Sequence, residues 1–529
     1  MSEKQLSRRH LLKLGAAGAG GLLLHLGLRA GQQAWQTSGP SGLELARAAN
    51  VNVGRARIES PKVKRFELPL AIAAVKAPVR SEGGIDYYEI TAKVARQEVL
   101  PGKMTTIWGY DGQWPGMTLE MRRGRACVMT LYNELPEAIS CHYHGGVTPP
   151  QHDGYAENIV LNGTELPTLI QPGGSWTYEY PNIQPAATNW YHDHGIHRTA
   201  FHVYMGIAGF YLVRDDEEAS LHLPQGEFEV PIVLQDRIFD SGGELVYDHN
   251  GHSGVEGDVQ LVNGRPWPRM KVKQGKYRFR ILNGSTWRRY DLSLSGGLQL
   301  IQIATDAGFL RSPEPLNMTR LYPAERGDYI IDFSTLAPGT TVTLRNRARE
   351  ALGTTMEQVM LFEVVAGSGH RDPLPVRLTE YPDLRTASAL KEVVATREFV
   401  FERENGYYVI NGRIWDRERF DATPRLGTKE IWRFTNKSGG WWHPVHVHLV
   451  NFQLLDRSDP NGSNKRKPHR WELGRKDTVA VPENQSVRVI IDWNAEEYQH
   501  FTGPYMMHCH NVDHEDHDMM TQYLLQPEA

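Results

Sequence analysis

Short stretches rich in Val, Ile, Tyr and Thr recur along the chain, with polar residues at alternate positions and glycine, asparagine or proline between them. "KYRFRIL" (276–282) and "SVRVIIDW" (486–493) are two examples. This pattern predicts an all-β chain of short strands joined by many turns.

Three elements repeat in the same order in each third of the chain. A turn dipeptide followed by a tryptophan appears in "YDGQWP" (110–115), "VNGRPWP" (262–268) and "INGRIWD" (410–416). A glycine-led apolar strand ending in asparagine comes next, as "RGRACVMTLYNEL", "QGKYRFRILNGS" and "GTKEIWRFTNKS". The third element is "GGSWTYEY", "AERGDYIIDF" and "ENQSVRVIIDW". The period is about 150 residues, the size of a domain. The expected fold is all-β, with three homologous β-sandwich domains at 49–220, 221–375 and 376–529. Charge and proline accumulate at the expected joints, near 216–225 and 370–390.

Composition agrees: 50 glycines and 31 prolines suit many turns, and 529 residues suffice for several cores. With 58 basic and 62 acidic residues the net charge is -4. No long single-sign run appears, so neither a nucleic-acid nor a membrane-surface partner is suggested.

Ten of the 22 histidines fall in four tight clusters. These are "CHYHGG" (His142, His144), "WYHDHG" (His192, His194), "HPVHVH" (His443, His446, His448) and "HCHNVDHEDHDMM" (His508, His510, His514). On a strand, a His-x-His pair points both imidazoles to one face, a geometry suited to neighbouring metal ions. If the first and third domains pack together, four such pairs enclose a multinuclear copper site. Cys509 in "HCH" then points the other way, as does His443, out of phase with His446. Together with His514 and a weakly bound Met519 they make the two-histidine, one-cysteine, axial-methionine set of a blue-copper centre.

These motifs, with "GDVQLVNGRPWPRMKVKQGKYRFRILN" (257–283) and "HPVHVHLVNFQLLDR", resemble the three-domain multicopper oxidases, and within them the bilirubin oxidase and spore-coat laccase group. The resemblance covers about residues 85 to 525. It implies cupredoxin-like Greek-key domains and four coppers per chain. His142 and His446 would hold the type 2 ion, and His144, His192, His194, His448, His508 and His510 the type 3 pair. His443, Cys509, His514 and Met519 would hold the type 1 ion. The implied activity is one-electron oxidation of a small reducing substrate, coupled to four-electron reduction of dioxygen to water. That reduction consumes four protons, and the candidate carboxylates are Asp153, which matches an acidic position of the family, and Glu515 beside His514. Cys141 departs from the pattern, where an apolar residue is expected.

Competing readings have weaker support. A copper-efflux-type metal-ion oxidase would carry a methionine-rich insertion, and the 14 methionines form no such tract. A non-catalytic cupredoxin-like scaffold would not need every donor position filled. His152, His197, His202 and His517 lie outside the ligand registers, and Met506, Met507 and Met520 read as packing residues. Trp441 and Trp442 either shield the type 1 site or pack the core. Cys127 and Cys141 look like hairpin partners, which would permit a disulfide in an exported protein. The basic stretch Arg457 to Asp477 either borders the substrate pocket or is a solvated loop.

Export itself is suggested by "SRRHLLK" (Ser7 to Lys13) ahead of the apolar stretch Leu14 to Leu28. That stretch is too short and glycine-rich for a good spanning helix. It resembles a twin-arginine signal, with cleavage after Ala30 or near Ala46 to Ala48. Residues 1–48 are therefore expected to be signal and linker, delivered to the twin-arginine export machinery. The mature protein is expected to be periplasmic or secreted, without stable membrane insertion, and monomeric.

Overall fold

The computed structural model describes residues 58–498 and 500–528, so the export segment expected at 1–48 lies outside the described residues. The chain is all-β, with three successive pairs of sheets. A five-stranded and a four-stranded sheet fall within 80–214, a seven- and a five-stranded sheet within 229–368, and a five- and a four-stranded sheet within 393–525.

The sequence repeats reappear as repeated wiring. In each pair a long strand runs parallel to the asparagine-ended strand: Ile85–Glu98 with Ala126–Asn133, Glu229–Arg237 with Lys276–Asn283, and Val393–Glu404 with Lys429–Asn436. The third repeated element then adds antiparallel to that central strand, as Ser175–Tyr180, Arg326–Asp332 and Ser486–Asp492. Parallel neighbours cannot be joined by a hairpin, so the chain must cross to the facing sheet between them, as in a Greek-key sandwich.

Local chemistry explains why these elements recur. The turn dipeptides Asp111-Gly112, Asn263-Gly264 and Asn411-Gly412 all have positive φ, between 50° and 71°, which Asp, Asn and Gly tolerate best. Asn133, Asn283 and Asn436 are buried at the ends of their strands. Each side-chain oxygen accepts the N–H two residues on, from Leu135, Ser285 and Ser438, at 2.9–3.0 Å. Each Nδ2 donates to two carbonyls: Glu137 and Ile170, Arg288 and Leu321, Trp441 and Val481. One amide thus satisfies three backbone groups where the chain leaves the sheet, where they would otherwise be buried unpaired.

Facing sheets share a core. In the third pair Phe399, Trp432, Phe434 and Val489 meet Val445, Val447, Met507 and Cys509. In the second, Ile232, Phe279 and Ile281 meet Leu292, Leu344 and Phe362.

Two expectations need correction. Cys127 and Cys141 are not hairpin partners: Cys127 pairs with Tyr180 in the five-stranded sheet and Cys141 with Asp193 in the four-stranded one. Both are free and buried. The segment Arg457 to Asp477 is solvated in its middle, where most of residues 461–470 are exposed, and is held at its ends. Buried Arg457 pairs with Glu472, Arg470 with Glu314, and buried Lys476 lies 2.8 Å from Asp306 and 3.3 Å from Glu325, which pins the segment to the second sheet pair. Among the described residues no helix is long and apolar enough to cross a membrane.

Candidate metal centre

The four-stranded sheets of the first and third pairs carry all ten clustered histidines on or just beyond their strands. Cys141–His144 lies antiparallel to Ala187–Asp193 with His142 opposite His192, and His443–Val447 lies antiparallel to Gly503–Cys509 with His446 opposite His508. All ten imidazoles are buried. Rings separated by hundreds of residues meet edge to edge: His142 Nε2 is 3.2 Å from His446 Nε2, His448 Nε2 is 3.1 Å from His508 Nε2, and His194 Nε2 is 3.2 Å from His508 Nε2. His510 completes the group, its ring 5.2 Å from those of His144 and His192.

The outward nitrogens fix which edge faces inward. His142 Nδ1 donates to the Asp153 carbonyl at 2.6 Å, His192 to Asp193 at 2.8 Å, and His446 to Asp477 at 3.0 Å. His448 Nδ1 donates to the Asp153 carboxyl at 2.6 Å. A neutral imidazole that donates from Nδ1 presents a lone pair at Nε2. Burial, reinforced by the neighbouring rings, holds His142, His144, His446, His448 and His510 well below the usual histidine range, and His192 at about 3. The Nε2 atoms of His142 and His446, 3.2 Å apart with both Nδ1 atoms donating outward, therefore face each other as lone pairs. Both ring nitrogens of His510 and Nδ1 of His194 lack any hydrogen-bond partner. A cation among these rings satisfies what the protein leaves unpaired, so the donor set fits copper.

The opposite face of the same strand holds a second set. Cys509 Sγ lies 3.3 Å from His443 Nδ1 and 3.7 Å from His514 Nδ1, and the two imidazoles are 3.2 Å apart. Ser438 Oγ holds His443 Nε2 at 2.6 Å, and the Asn511 amide lies 3.0 Å from His514 Nε2. Burial pushes the Cys509 thiol well above its usual range, so a thiolate here needs a cation beside it. Met519 packs in the same apolar cluster as Cys509, whereas Met520 pairs with His508 and packs with Tyr155 and Trp415.

Carboxylates ring the larger set. Asp153 bonds His448 with one oxygen and leaves the other unpartnered, and burial raises its carboxyl well above the usual range. Glu515 sits beside His514 in sequence but faces the other way, 2.9 Å from His508 Nδ1 and 3.4 Å from His194 Nδ1. Burial alone would raise it, but the His508 and His194 imidazoles outweigh that and hold it at about 2. Sequence reasoning missed a third. Asp477 Oδ1 lies 3.2 Å from His144 Nε2, and its carboxylate takes both arms of the fully buried Arg326 at 2.7 and 2.6 Å. A small cleft has Gly145, Gln184, Ala307, Asn451, Asp477 and His446 among its lining residues.

The remaining histidines stay outside both sets. His202 is clamped between Asp193 at 2.8 Å and Glu137 at 3.1 Å. His197 pairs with Asp518, and His517 stacks between His252 and Tyr407.

Paired sandwiches that bury a cysteine-histidine set back to back with a histidine cage define a copper redox protein. Residues 92–218 and 384–529 each match a family model described as multicopper oxidase. The chain is 35% identical over 492 residues to a bilirubin oxidase of Albifimbria verrucaria, covering 88% of this chain and 82% of that one. It is 32% identical over 517 residues to a laccase of Bacillus subtilis, covering 87% and 98%. A solved laccase of Pediococcus acidilactici shares the fold with a TM-score of 0.76 at 30% identity, covering 89% of this chain and 96% of that one. The chain belongs to the multicopper oxidase family.

Proposed function

We propose that this protein takes single electrons from phenolic, aromatic-amine or bilirubin-like donors and couples them to the reduction of dioxygen to water, using four coppers. The substrate class is supported by relatives named bilirubin oxidase and laccase. His443, Cys509 and His514, with Met519 as axial donor, are the type 1 set. His142 and His446 are the type 2 donors, and His144, His192, His194, His448, His508 and His510 the type 3 donors. Copper bound in these sets supplies the one-electron redox steps and the dioxygen chemistry.

The single observation that carries this reading is the strand Gly503–Cys509, in which Cys509 joins His443 and His514 on one face while His508 joins His194 and His448 on the other. A peptide bond is then the link between electron entry and oxygen reduction. The chain's own groups handle the protons. Asp153, whose carboxyl burial pushes well above the usual range, has a free oxygen beside the cage, and Glu515 is the second carboxylate in contact with it. A scaffold without copper is disfavoured because every donor position is filled.

Division into domains at 49–220, 221–375 and 376–529 belongs to the same reading, supported by the three sheet pairs. So does delivery of a monomer to the periplasm or beyond by a twin-arginine signal, supported by the Arg8-Arg9 pair ahead of an apolar stretch. The test is metal analysis together with oxygen uptake against a phenol, an aminophenol, bilirubin, Fe(II) and Cu(I). About four coppers and turnover of the aromatic donors are expected. One copper or none, or turnover of the metal ions alone, overturns the reading.

A further inference from the structure

Asp477 repeats the position of Asp153 across the cage. Asp153 accepts from His142 of its own sheet pair through its carbonyl and reaches His448 of the third pair with its carboxyl, both at 2.6 Å. Asp477 accepts from His446 of its own sheet pair through its carbonyl at 3.0 Å and reaches His144 of the first pair with its carboxylate at 3.2 Å. The two differ in what stands behind them. One oxygen of Asp153 has no partner, whereas both oxygens of Asp477 are taken by the Arg326 guanidinium.

His144 is turned relative to its neighbours. His142, His192 and His446 donate from Nδ1 to carbonyls and so face inward with Nε2, but His144 has Nε2 on the outside and Nδ1 3.5 Å from His192 Nε2. Two oxygens meet that outer Nε2, Asp477 Oδ1 and Thr478 Oγ1, each at 3.2 Å. The Thr478 hydroxyl donates its hydrogen to Asp477 Oδ1 at 2.9 Å, so both neighbours can only accept. The hydrogen of the neutral His144 ring is thereby fixed on Nε2, and its lone pair on Nδ1 faces the cage.

Arg326 opens the strand Arg326–Asp332 of the second sheet pair and is fully buried. Besides Asp477 it donates to the carbonyl of Thr188, in the strand that carries His192, at 2.9 Å, and to that of Asp306 at 3.0 Å. Gly145, next to His144, permits this approach, because a Cβ there would lie 2.8 Å from Arg326 Nη2. One side chain of the middle sheet pair thus reaches the other two, and it meets the Asp477 carboxylate with two N–H groups, which a single ammonium cannot reproduce. We propose that Asp477 is a positioning residue that sets the tautomer of His144, and that Arg326 holds Asp477 in that role, so the sheet pair without clustered histidines completes the metal cage. This deepens the proposed function and rests on it only for copper as the ion that His144 holds.

Metal analysis under chelator competition and electron paramagnetic resonance, in which a coupled pair of cupric ions is silent, test this on copper-loaded protein. Asp477→Asn puts an N–H donor where the carboxylate only accepted. It should weaken cage copper about tenfold to a hundredfold and raise the share of copper visible to resonance, while the blue type 1 absorption is kept. Arg326→Lys should lie between wild type and Asp477→Asn. Arg326→Met combined with Asp477→Asn should be more stable than Arg326→Met alone and still bind cage copper weakly. Histidine NMR of metal-free, isotope-labelled protein, with the His144 signals assigned by their loss in His144→Gln, should show hydrogen on Nε2 in wild type and partly on Nδ1 in Asp477→Asn. Unchanged copper affinity and silent share in Asp477→Asn overturn the proposal, and so does hydrogen on Nδ1 in wild type. Copper loss that follows the denaturation midpoint through every variant, the double one included, makes the role merely structural and overturns it too. Wild-type protein that binds one copper or none overturns the functional reading, while the NMR measurement still decides this one.

Discussion

Cys509 and His508 are neighbours in one strand whose side chains serve two different sites: Cys509 Sγ lies 3.3 Å from His443 Nδ1, and His508 Nε2 lies 3.1 Å from His448 Nε2. Period-two alternation alone achieves this separation. Cys509→Ser removes the thiolate from one face and leaves the other face intact. The variant should lose the intense blue absorption of a copper-thiolate site, retain about three coppers, and fail to turn over. Visible spectra with metal analysis check this. A variant that stays blue would place the colour elsewhere.

Asp153 touches two cage histidines, through its carbonyl to His142 and its side chain to His448. Asp153→Asn keeps shape and removes the titrating proton. Oxygen consumption should fall by about a hundredfold or more, while anaerobic reductant still bleaches the blue colour at the wild-type rate. Unchanged oxygen consumption would remove Asp153 from proton delivery.

Met519 and Met520 are adjacent and both buried, yet only Met519 shares a cluster with Cys509. A weak thioether donor favours oxidised copper, so Met519→Leu should raise the type 1 reduction potential, and Met520→Leu should leave it in place. The swap nearly conserves volume, which limits packing loss to less than about 1.5 kcal/mol. Redox titration of both variants checks the register.

The repeats and the His-x-His strands were legible in the sequence because both depend on near-neighbour periodicity, which survives without coordinates. Asp153 and Glu515 were legible as candidates, though Glu515, adjacent to His514, turns toward His508 across the strand. Asp477 and Arg326 were not legible. They are 151 residues apart, and nothing local marks an arginine of the copper-free middle third as the partner of a cage carboxylate. Cys127 and Cys141 misled for the converse reason: a short separation suggests a hairpin, but the chain crosses to the facing sheet between them.

The Arg326–Asp477 pair is wholly buried and ties the second sheet pair to the third beside His144. Replacing Arg326 by Met leaves Asp477 beside Asp306 without its counter-charge. Loss of about 3–5 kcal/mol is expected, read as a lower denaturation midpoint. Adding Asp477→Asn should recover part of it, because the orphaned charge is then removed.

His202 is fully buried, and burial would lower its pKa, but the charge of Asp193 and its hydrogen bonds to Asp193 and Glu137 outweigh this and raise it to about 9. A raised folded-state pKa stabilises below the unfolded value of about 6.5, and that stability is lost as pH rises to about 9. The loss is on the order of 3 kcal/mol across that window. Unfolding of metal-free wild type and His202→Phe at pH 6 and pH 9.5 checks it: the variant should be less stable at pH 6, and the gap should close at the higher pH.

Asn133, Asn283 and Asn436 make the same three hydrogen bonds, although the middle copy holds none of the clustered histidines. The latch that closes each sandwich is therefore indifferent to whether its unit ever meets copper. None of the three latches draws on a metal-donor side chain, so the groups that close each sandwich are the same with the cage filled or empty.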